Sequence, residues 1–135
     1  MTSSVIYNGE LRTYCVHQQS SSSIETDAPT DNNGKGERFS PTDLMATSLA
    51  SCMLTVMGIK AKTINVDMSG VTIEVQKLMK QDPRRVGGIN LSFSIPEQLQ
   101  KIEEKNKTIL KNTAITCPVA KSLHPDIEVS IDWNW

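Results

Sequence analysis

The stretch Phe39–Lys62, FSPTDLMATSLASCMLTVMGIKAK, decides the fold of this chain. Ser40 suits the N-cap of a helix, Pro41 suits the first helical position, and the charge of Asp43 favours a helix N-terminus. Apolar side chains then recur at steps of three and four residues, the helical period: Leu44, Met45, Leu49, Cys52, Met53, Val56 and Met57. The other face is small rather than charged, so the pattern predicts a long helix buried nearly all round, extending to Lys62.

Short strands are predicted before this helix. Asn8-Gly9 is a two-residue turn signal between Val5–Tyr7 and Leu11–His17, which favours a β-hairpin. Ser23–Thr26 could form a third strand. Asp27–Arg38 is rich in Pro, Gly and Asn and is expected to be a solvated loop. A mobile connection is favoured there over a functional lid, because no residue in the loop demands a chemical role.

The chain after the helix alternates between strand and helix patterns. Val71–Lys80 and Val86–Ile95 alternate apolar and polar residues and predict an antiparallel hairpin with one buried face. Pro96–Asn112 reads as a charged surface helix, and Thr113–Leu123 as a shorter helix. Asp126–Trp133 predicts a final strand. No repeat or domain boundary is visible, so residues 1–135 are expected to form one domain.

Composition and charge narrow the function. The 135 residues carry a formal net charge of −1, so no basic face is predicted and nucleic acid or an anionic membrane is a poor partner. Met1–Tyr7 lacks the features of a signal peptide, and Leu44–Ala61 is interrupted by hydroxyl residues and Lys60, short of a membrane span. A cytoplasmic location is expected, where three cysteines are more often free, catalytic or metal-bound than paired in structural disulfides.

The three cysteines differ in their surroundings. Cys52 lies among apolar side chains in the middle of the long helix, and spacing alone favours a small buried residue with a raised pKa. Cys117 directly precedes Pro118, which marks a helix start, so exposed N–H groups there would lower its thiol pKa; a buried cap residue is an equal alternative. Cys15, on a hairpin strand, is expected to be packing.

The sequence does not support a metal site, a serine nucleophile or a phosphate-binding loop. No CxxC or HxxxH spacing joins the cysteines to His17 or His124, so no metal site is predicted. GxSxG and glycine-rich phosphate loops are absent as well, and no cofactor is expected. Arg12 shares a strand face with Tyr14 and Val16, where a permanent charge would need a thiolate or carboxylate partner, unless it is an ordinary surface arginine.

Three stretches of the sequence together resemble a known family. SPTDLMATSLASCML is similar to the central-helix motif of the OsmC/Ohr family, and CPVAKSL resembles its second cysteine motif. The N-terminal YNGELRTYCV is similar to the hairpin that carries an arginine in this family. The resemblance covers nearly the whole chain, and the ordered set is more specific than any motif alone.

The resemblance implies a fold, an assembly and a reaction. The fold would be α+β, with antiparallel sheets wrapping long central helices in an intertwined homodimer. The reaction would be reduction of small organic or inorganic hydroperoxides in oxidative-stress defence. Cys52 would be the peroxidatic thiolate, Cys117 the resolving thiol, and Arg12 the cation that holds the thiolate and polarises the peroxide. A lipoyl-type or thioredoxin-like dithiol would reduce the resulting disulfide.

One position departs from the organic-hydroperoxide branch of the family. In that branch a Glu follows the proline and pairs with the arginine, whereas here Thr42 follows Pro41 and the acid is Asp43. The pattern is closer to less characterised OsmC-like branches, and it leaves Asp43 as either a catalytic partner of Arg12 or a helix cap. It also motivates an alternative, a non-enzymatic protein whose cavity at the subunit interface, lined by Met45, Met53 and Met57, holds an apolar ligand, with Cys52 as packing. A redox sensor ranks last.

Overall fold

The computed structural model describes residues 1–135, and the backbone divides into two compact units, Met1–Met45 and Ala46–Trp135. Helix α1, Pro41–Thr63, begins in the first unit and continues in the second. The mixture of strands and helices confirms the α+β class that the family resemblance implies.

The first unit contains a three-stranded sheet, β1 (Ser3–Gly9), β2 (Arg12–His17) and β3 (Ser23–Thr26). All neighbouring strands are antiparallel, in the order β1-β2-β3. The third strand is therefore confirmed.

The hairpin turn lies further along the chain than predicted. Gly9 pairs with Arg12 across a register shift after Tyr7, and Glu10 and Leu11 occupy the turn with φ of 50° and 63°. Both values are left-handed, as a two-residue hairpin turn of type I′ requires. The predicted turn at Asn8-Gly9 was wrong, because a β-bulge after Tyr7 lets strand β1 continue its pairing with β2 as far as Gly9.

Residues 27–38 form the expected solvated loop, and backbone hydrogen bonds within the loop hold its two ends together. The Gly36 N–H donates to the Ala28 carbonyl at 3.2 Å, and the Gly34 N–H donates to the Pro29 carbonyl at 3.0 Å. A Cβ on Gly34 would lie 1.6 Å from the Ala28 oxygen, so only glycine fits there. The Asp27 N–H closes the loop on the Phe39 carbonyl at 3.1 Å.

Helix α1 starts where the sequence predicts. The Asp43 carboxylate accepts from the Ser40 N–H at 2.8 Å, and the Ser40 hydroxyl accepts from the Asp43 N–H at 3.1 Å, a reciprocal capping box. The expectation of burial nearly all round was wrong for the single chain, because Ser51, Thr55 and Ile59 are exposed along one stripe. The buried positions of the helix are Ala46, Leu49, Ala50, Met53, Met57 and Ala61.

The second unit is built on another three-stranded sheet, β4 (Thr72–Lys80), β5 (Arg85–Ser94) and β6 (Glu128–Asp132). β4 and β5 form the predicted antiparallel hairpin. β6 runs parallel to β5, so this sheet is mixed rather than wholly antiparallel as expected. Its chain crosses over through the helices between the two strands, which the local alternation of residues could not reveal.

The single helix predicted over residues 96–112 is broken into α2 (Glu97–Gln100) and α3 (Glu104–Ala114). Glu103 is extended, with φ −56° and ψ 137°. The Trp135 indole N–H donates to the Leu99 carbonyl at 2.9 Å, an acceptor that a continuous helix would pair with the N–H of residue 103. A hydrogen bond from Trp135, at the other end of the chain, thus replaces the backbone hydrogen bond that a continuous helix would make at Leu99.

The core of the second unit is aliphatic and sulfur-rich, as the composition suggests. It takes side chains from α1, β5 and α3, with 2% or less of each exposed: Leu49, Met53, Met57, Ile89, Leu91, Phe93 and Leu110. Trp133 stacks on Phe93 with ring centroids 4.6 Å apart. This packing fixes the middle of α1, where Cys52 lies.

Candidate active site

Cys52 and Cys117 lie next to each other in the second unit, and both are free thiols. Cys52 projects from the middle of α1 and is half-buried, between the exposed Ser51 and the buried Met53. The expectation that Cys52 is a fully buried residue was therefore wrong. A half-buried cysteine beside a second thiol can meet a small reactant.

Cys117 is the N-cap of the short helix α4 (Pro118–Ser122), as its position before Pro118 predicts. Its sulfur accepts from the Ala120 N–H at 3.4 Å. The side chain is 1% exposed. The sequence thus located the cap, and of the two alternatives considered for it, a thiol with a lowered pKa and a buried cap residue, the structure shows the buried cap residue.

The predicted direction of the Cys117 pKa was wrong. Burial raises the pKa of the Cys117 thiol above its usual 9.0, and this outweighs the opposing hydrogen bond from the Ala120 N–H. The neighbouring Cys52 raises the pKa further, through hydrogen bonding and charge. Cys117 is consequently a protonated thiol at neutral pH.

Arg12 is bound by two carboxylates of the first unit. Its Nη2 contacts Glu37 Oε2 in a short hydrogen-bonded ion pair and lies 3.7 Å from Asp27 Oδ2. Asp27 is 1% exposed and also accepts from the Glu37 N–H at 3.1 Å. Arg12 thus has the carboxylate partner that was expected for a charge on its strand face, and the loop at residues 27–38 supplies it.

Sequence reasoning missed Asp27 and Glu37 because neither lies in a motif. They sit at opposite ends of the turn-rich loop, and only folding of the loop brings them to one nitrogen of Arg12. The length of the loop was the one available signal, since structureless loops of about 12 residues are uncommon and often functional.

Hydrogen bonding to the backbone lowers the pKa of Asp27. The largest contribution is the Glu37 N–H, which outweighs the opposing effect of burial, and the charge of Arg12 lowers the pKa further. Asp27 is therefore ionised at neutral pH, and Arg12 faces two anions.

The remaining candidates have modest roles in the structure. Asp43 caps α1 through Ser40, as described above. The Cys15 sulfur lies 3.8 Å from the Thr13 hydroxyl on β2 and is half-buried. His124 lies on the surface, 3.7 Å from Asp126. No group of three or more His, Cys, Asp or Glu side chains is arranged to hold a metal ion.

Solved structures share this architecture. An osmotic stress and detoxification response protein from Psychrobacter arcticus 273-4 is 53% identical, with a TM-score of 0.92, and the match covers 98% of this chain and 95% of that one. The organic hydroperoxide resistance protein OsmC from Legionella pneumophila is 15% identical, with a TM-score of 0.73 over 98% and 96% of the two chains. OhrB of Bacillus subtilis is 18% identical, with a TM-score of 0.69 over 98% of each chain.

The two latter similarities concern the fold alone, since their identity is low. A search among curated proteins gave no match. The family model described as OsmC-like protein matches residues 34–132, which include α1 and both Cys52 and Cys117. The chain therefore belongs to the family of OsmC-like proteins.

Proposed function

We propose that this protein is a thiol peroxidase that reduces small organic or inorganic hydroperoxides in oxidative-stress defence. The OsmC/Ohr family includes organic hydroperoxide resistance proteins, which supports a stress-related peroxidase at the level of the family. The observation that carries the proposal for this chain is the pair of free thiols, Cys52 and Cys117, side by side on two helices.

The burial of the two thiols distinguishes their roles. Cys52 is half-buried and accessible to a small substrate, whereas Cys117 is 1% exposed and has a raised pKa. A peroxide is attacked by a thiolate, not by a protonated thiol. We therefore assign the first attack to Cys52 and the second step to Cys117.

The proposed reaction has two steps. The Cys52 thiolate attacks one oxygen of the hydroperoxide, the O–O bond breaks, and the leaving alkoxide takes a proton and departs as an alcohol. Cys52 is then a sulfenic acid. The Cys117 sulfur attacks the Cys52 sulfur, the S–S bond forms, and the hydroxyl of the sulfenic acid leaves as water with the proton of Cys117. The two thiols supply both electrons.

Arg12 is the candidate for the cation that polarises the peroxide, a role that comes from the family resemblance. A guanidinium donates hydrogen bonds in a planar fork and suits an oxygen that becomes negative as the O–O bond breaks. Asp43 is assigned to the start of the helix that carries Cys52, because its carboxylate already closes the capping box. A direct catalytic part for Asp43 is the alternative to this assignment.

Regeneration needs an external dithiol, and we propose a lipoyl-type or thioredoxin-like reductant. Such a dithiol attacks the Cys52–Cys117 disulfide, forms a mixed disulfide, and leaves both protein thiols reduced. A reducing compartment such as the cytoplasm suits a protein whose three cysteines are all free.

We also propose a homodimer, in which the uncovered side of α1 meets a second copy. Helix α1 is long and apolar enough to cross a membrane by length and composition alone, yet Leu49, Met53 and Met57 are fully buried in the chain's own core. A core helix with one uncovered stripe fits a partner subunit better than lipid.

The ligand-binding alternative needs a cavity at the interface between two copies, lined by Met45, Met53 and Met57. Met53 and Met57 are 1% and 0% exposed and are packed in the core, whereas Met45 is half-buried. Two of these three side chains therefore offer no surface to an apolar ligand.

Titration of free thiols tests the proposed reaction. Addition of cumene hydroperoxide to the reduced protein is expected to remove two thiols per chain, and Cys52→Ser is expected to lose none. Cys117→Ser should stop at a sulfenic acid that dimedone traps. Cys15→Ser is the matched control and should behave like the native protein. Unchanged thiol counts in the native protein would overturn the proposal.

A further inference from the structure

The two carboxylates that bind Arg12 differ in burial. Asp27 is 1% exposed, whereas the Glu37 side chain is 54% exposed, yet both approach the same guanidinium nitrogen, Nη2. The loop that carries them is closed by its own backbone hydrogen bonds, from Gly34 and Gly36, so Asp27 has a fixed place. An ion pair with an exposed carboxylate is more easily released than one with a buried carboxylate.

The same ion pair contains two buried polar atoms without hydrogen-bond partners. These are the Nε–H of Arg12 and the Oδ1 of Asp27. Nε–H is a donor and Oδ1 is an acceptor. The same two side chains already approach each other through Nη2 and Oδ2, which are 3.7 Å apart. Unpaired buried polar groups are rare because each is costly, so an arrangement that pairs these two atoms should be accessible.

Arginine and a carboxylate can pair through two parallel hydrogen bonds, with Nε and one Nη facing the two oxygens. Here the short contact with Glu37 holds Nη2. The second oxygen of Asp27 accepts no hydrogen bond of normal geometry, although the backbone N–H groups of Ala28 and Lys35 approach the carboxylate closely enough to lower its pKa. A small rotation of the guanidinium away from Glu37 and onto Asp27 would satisfy Nε and Oδ1 together.

We propose that Asp27 is the positioning residue for Arg12, and that Glu37 is a competing partner that holds Arg12 off the fully paired arrangement. This inference rests on the proposed function, in which Arg12 acts on the hydroperoxide. Asp27 then does for Arg12 what the family's glutamate after the proline would do, at a position where this chain has Thr42. Release of Glu37 aligns the guanidinium on its buried anchor.

The Arg12 Nε–H resonance reports this arrangement directly, independently of activity. It is assigned by its loss in Arg12→Lys, and its exchange with water is measured in Asp27→Asn and Glu37→Gln. Glu37→Gln is expected to slow the exchange, because Nε–H becomes bonded to Asp27. Asp27→Asn is expected to leave it fast. Glu10→Gln, which removes an exposed carboxylate that pairs with Lys35 instead, is the matched control.

Kinetics with cumene hydroperoxide give the second readout. Asp27→Asn is expected to lower kcat/KM by about tenfold to a hundredfold, since a misplaced catalytic group costs about that much. Glu37→Gln should raise kcat/KM above the native value, because the guanidinium is then released to pair with Asp27. Asp27→Glu should recover part of the loss that Asp27→Asn causes. If Asp27→Asn does not fold, the exchange rate in Glu37→Gln decides alone.

Equal effects of Asp27→Asn and Glu37→Gln on both readouts would overturn the inference, and so would an unchanged Nε–H exchange rate in Glu37→Gln. A different result would overturn the proposed function instead. If the native protein does not reduce cumene hydroperoxide, the proposed peroxidase activity fails, whereas the Nε–H exchange still shows whether Asp27 anchors Arg12.

Discussion

At the scale of single residues, Cys117 shows how a local signal and its surroundings can act in opposite directions. Pro118 revealed the helix start in the sequence, because it fits only the first positions of a helix. The effect on the thiol was not predictable from that position, since it depends on how many atoms of other elements cover the sulfur. Burial raises the pKa of Cys117 more than the hydrogen bond at the helix start lowers it, so the thiol stays protonated at neutral pH.

The raised pKa of Cys117 predicts a pH dependence of stability. The folded protein holds the thiol proton more tightly than the unfolded chain, so the contribution to stability is complete below the usual pKa of 9.0 and falls as the pH rises above it. Urea unfolding of the reduced protein between pH 7 and 10.5 is expected to show this fall. Cys117→Ser, which keeps a capping oxygen, should show a smaller fall than the native protein; an identical pH dependence in both would contradict the assignment.

At the scale of secondary-structure elements, local sequence signals were sufficient to predict a helix. Contacts between residues far apart in the chain could not be predicted from the sequence. Helix α1 was predicted to within one residue of its observed end at Thr63, because cap and periodicity both lie inside it. The break between α2 and α3 depends on Trp135, and the ion pair of Arg12 depends on the folded loop that carries Asp27 and Glu37. Such contacts join residues far apart in the chain, which periodicity does not report.

The capping box of α1 can be tested apart from catalysis. Ser40→Ala and Asp43→Ala are each expected to lower the free energy of unfolding by about 1 kcal/mol, the usual cost of a lost N-cap. Because the two hydrogen bonds are reciprocal, the double variant should lose less than the sum. Asp43→Asn keeps an acceptor oxygen and should retain the native rate of hydroperoxide reduction. A rate loss of about tenfold or more, without loss of stability, would instead assign Asp43 to catalysis.

At the scale of the whole molecule, the chain leaves apolar surface that one copy does not cover. Val5, Ile6 and Tyr7 on β1 are 57–65% exposed, and Ile59 on α1 is 62% exposed. Strand and helix faces of this kind usually meet a partner. The family resemblance predicted the α+β fold, but composition alone gave no sign of which surfaces stay uncovered, because that depends on how the elements pack.

If the protein is a dimer, substitutions on the exposed stripe of α1 are expected to lower its mass in solution. The native protein is expected at about twice the 14.9 kDa of the chain in sedimentation equilibrium. Ile59→Glu, or Ser51→Arg in the same exposed stripe, should shift it toward the monomer, because a charge would be buried against the partner. Lys105→Glu on the exposed side of α3 is the control. A native mass of 14.9 kDa would contradict the dimer.

The central claim is that Cys52 and Cys117 act as one redox pair. The most direct test is peptide mass spectrometry of the reduced protein after one equivalent of cumene hydroperoxide, quenched with an alkylating agent. We predict one cross-linked species, the peptides of Cys52 and Cys117 joined and lighter by two hydrogens, with Cys15 alkylated. Recovery of Cys52 and Cys117 as separately alkylated peptides would contradict the account.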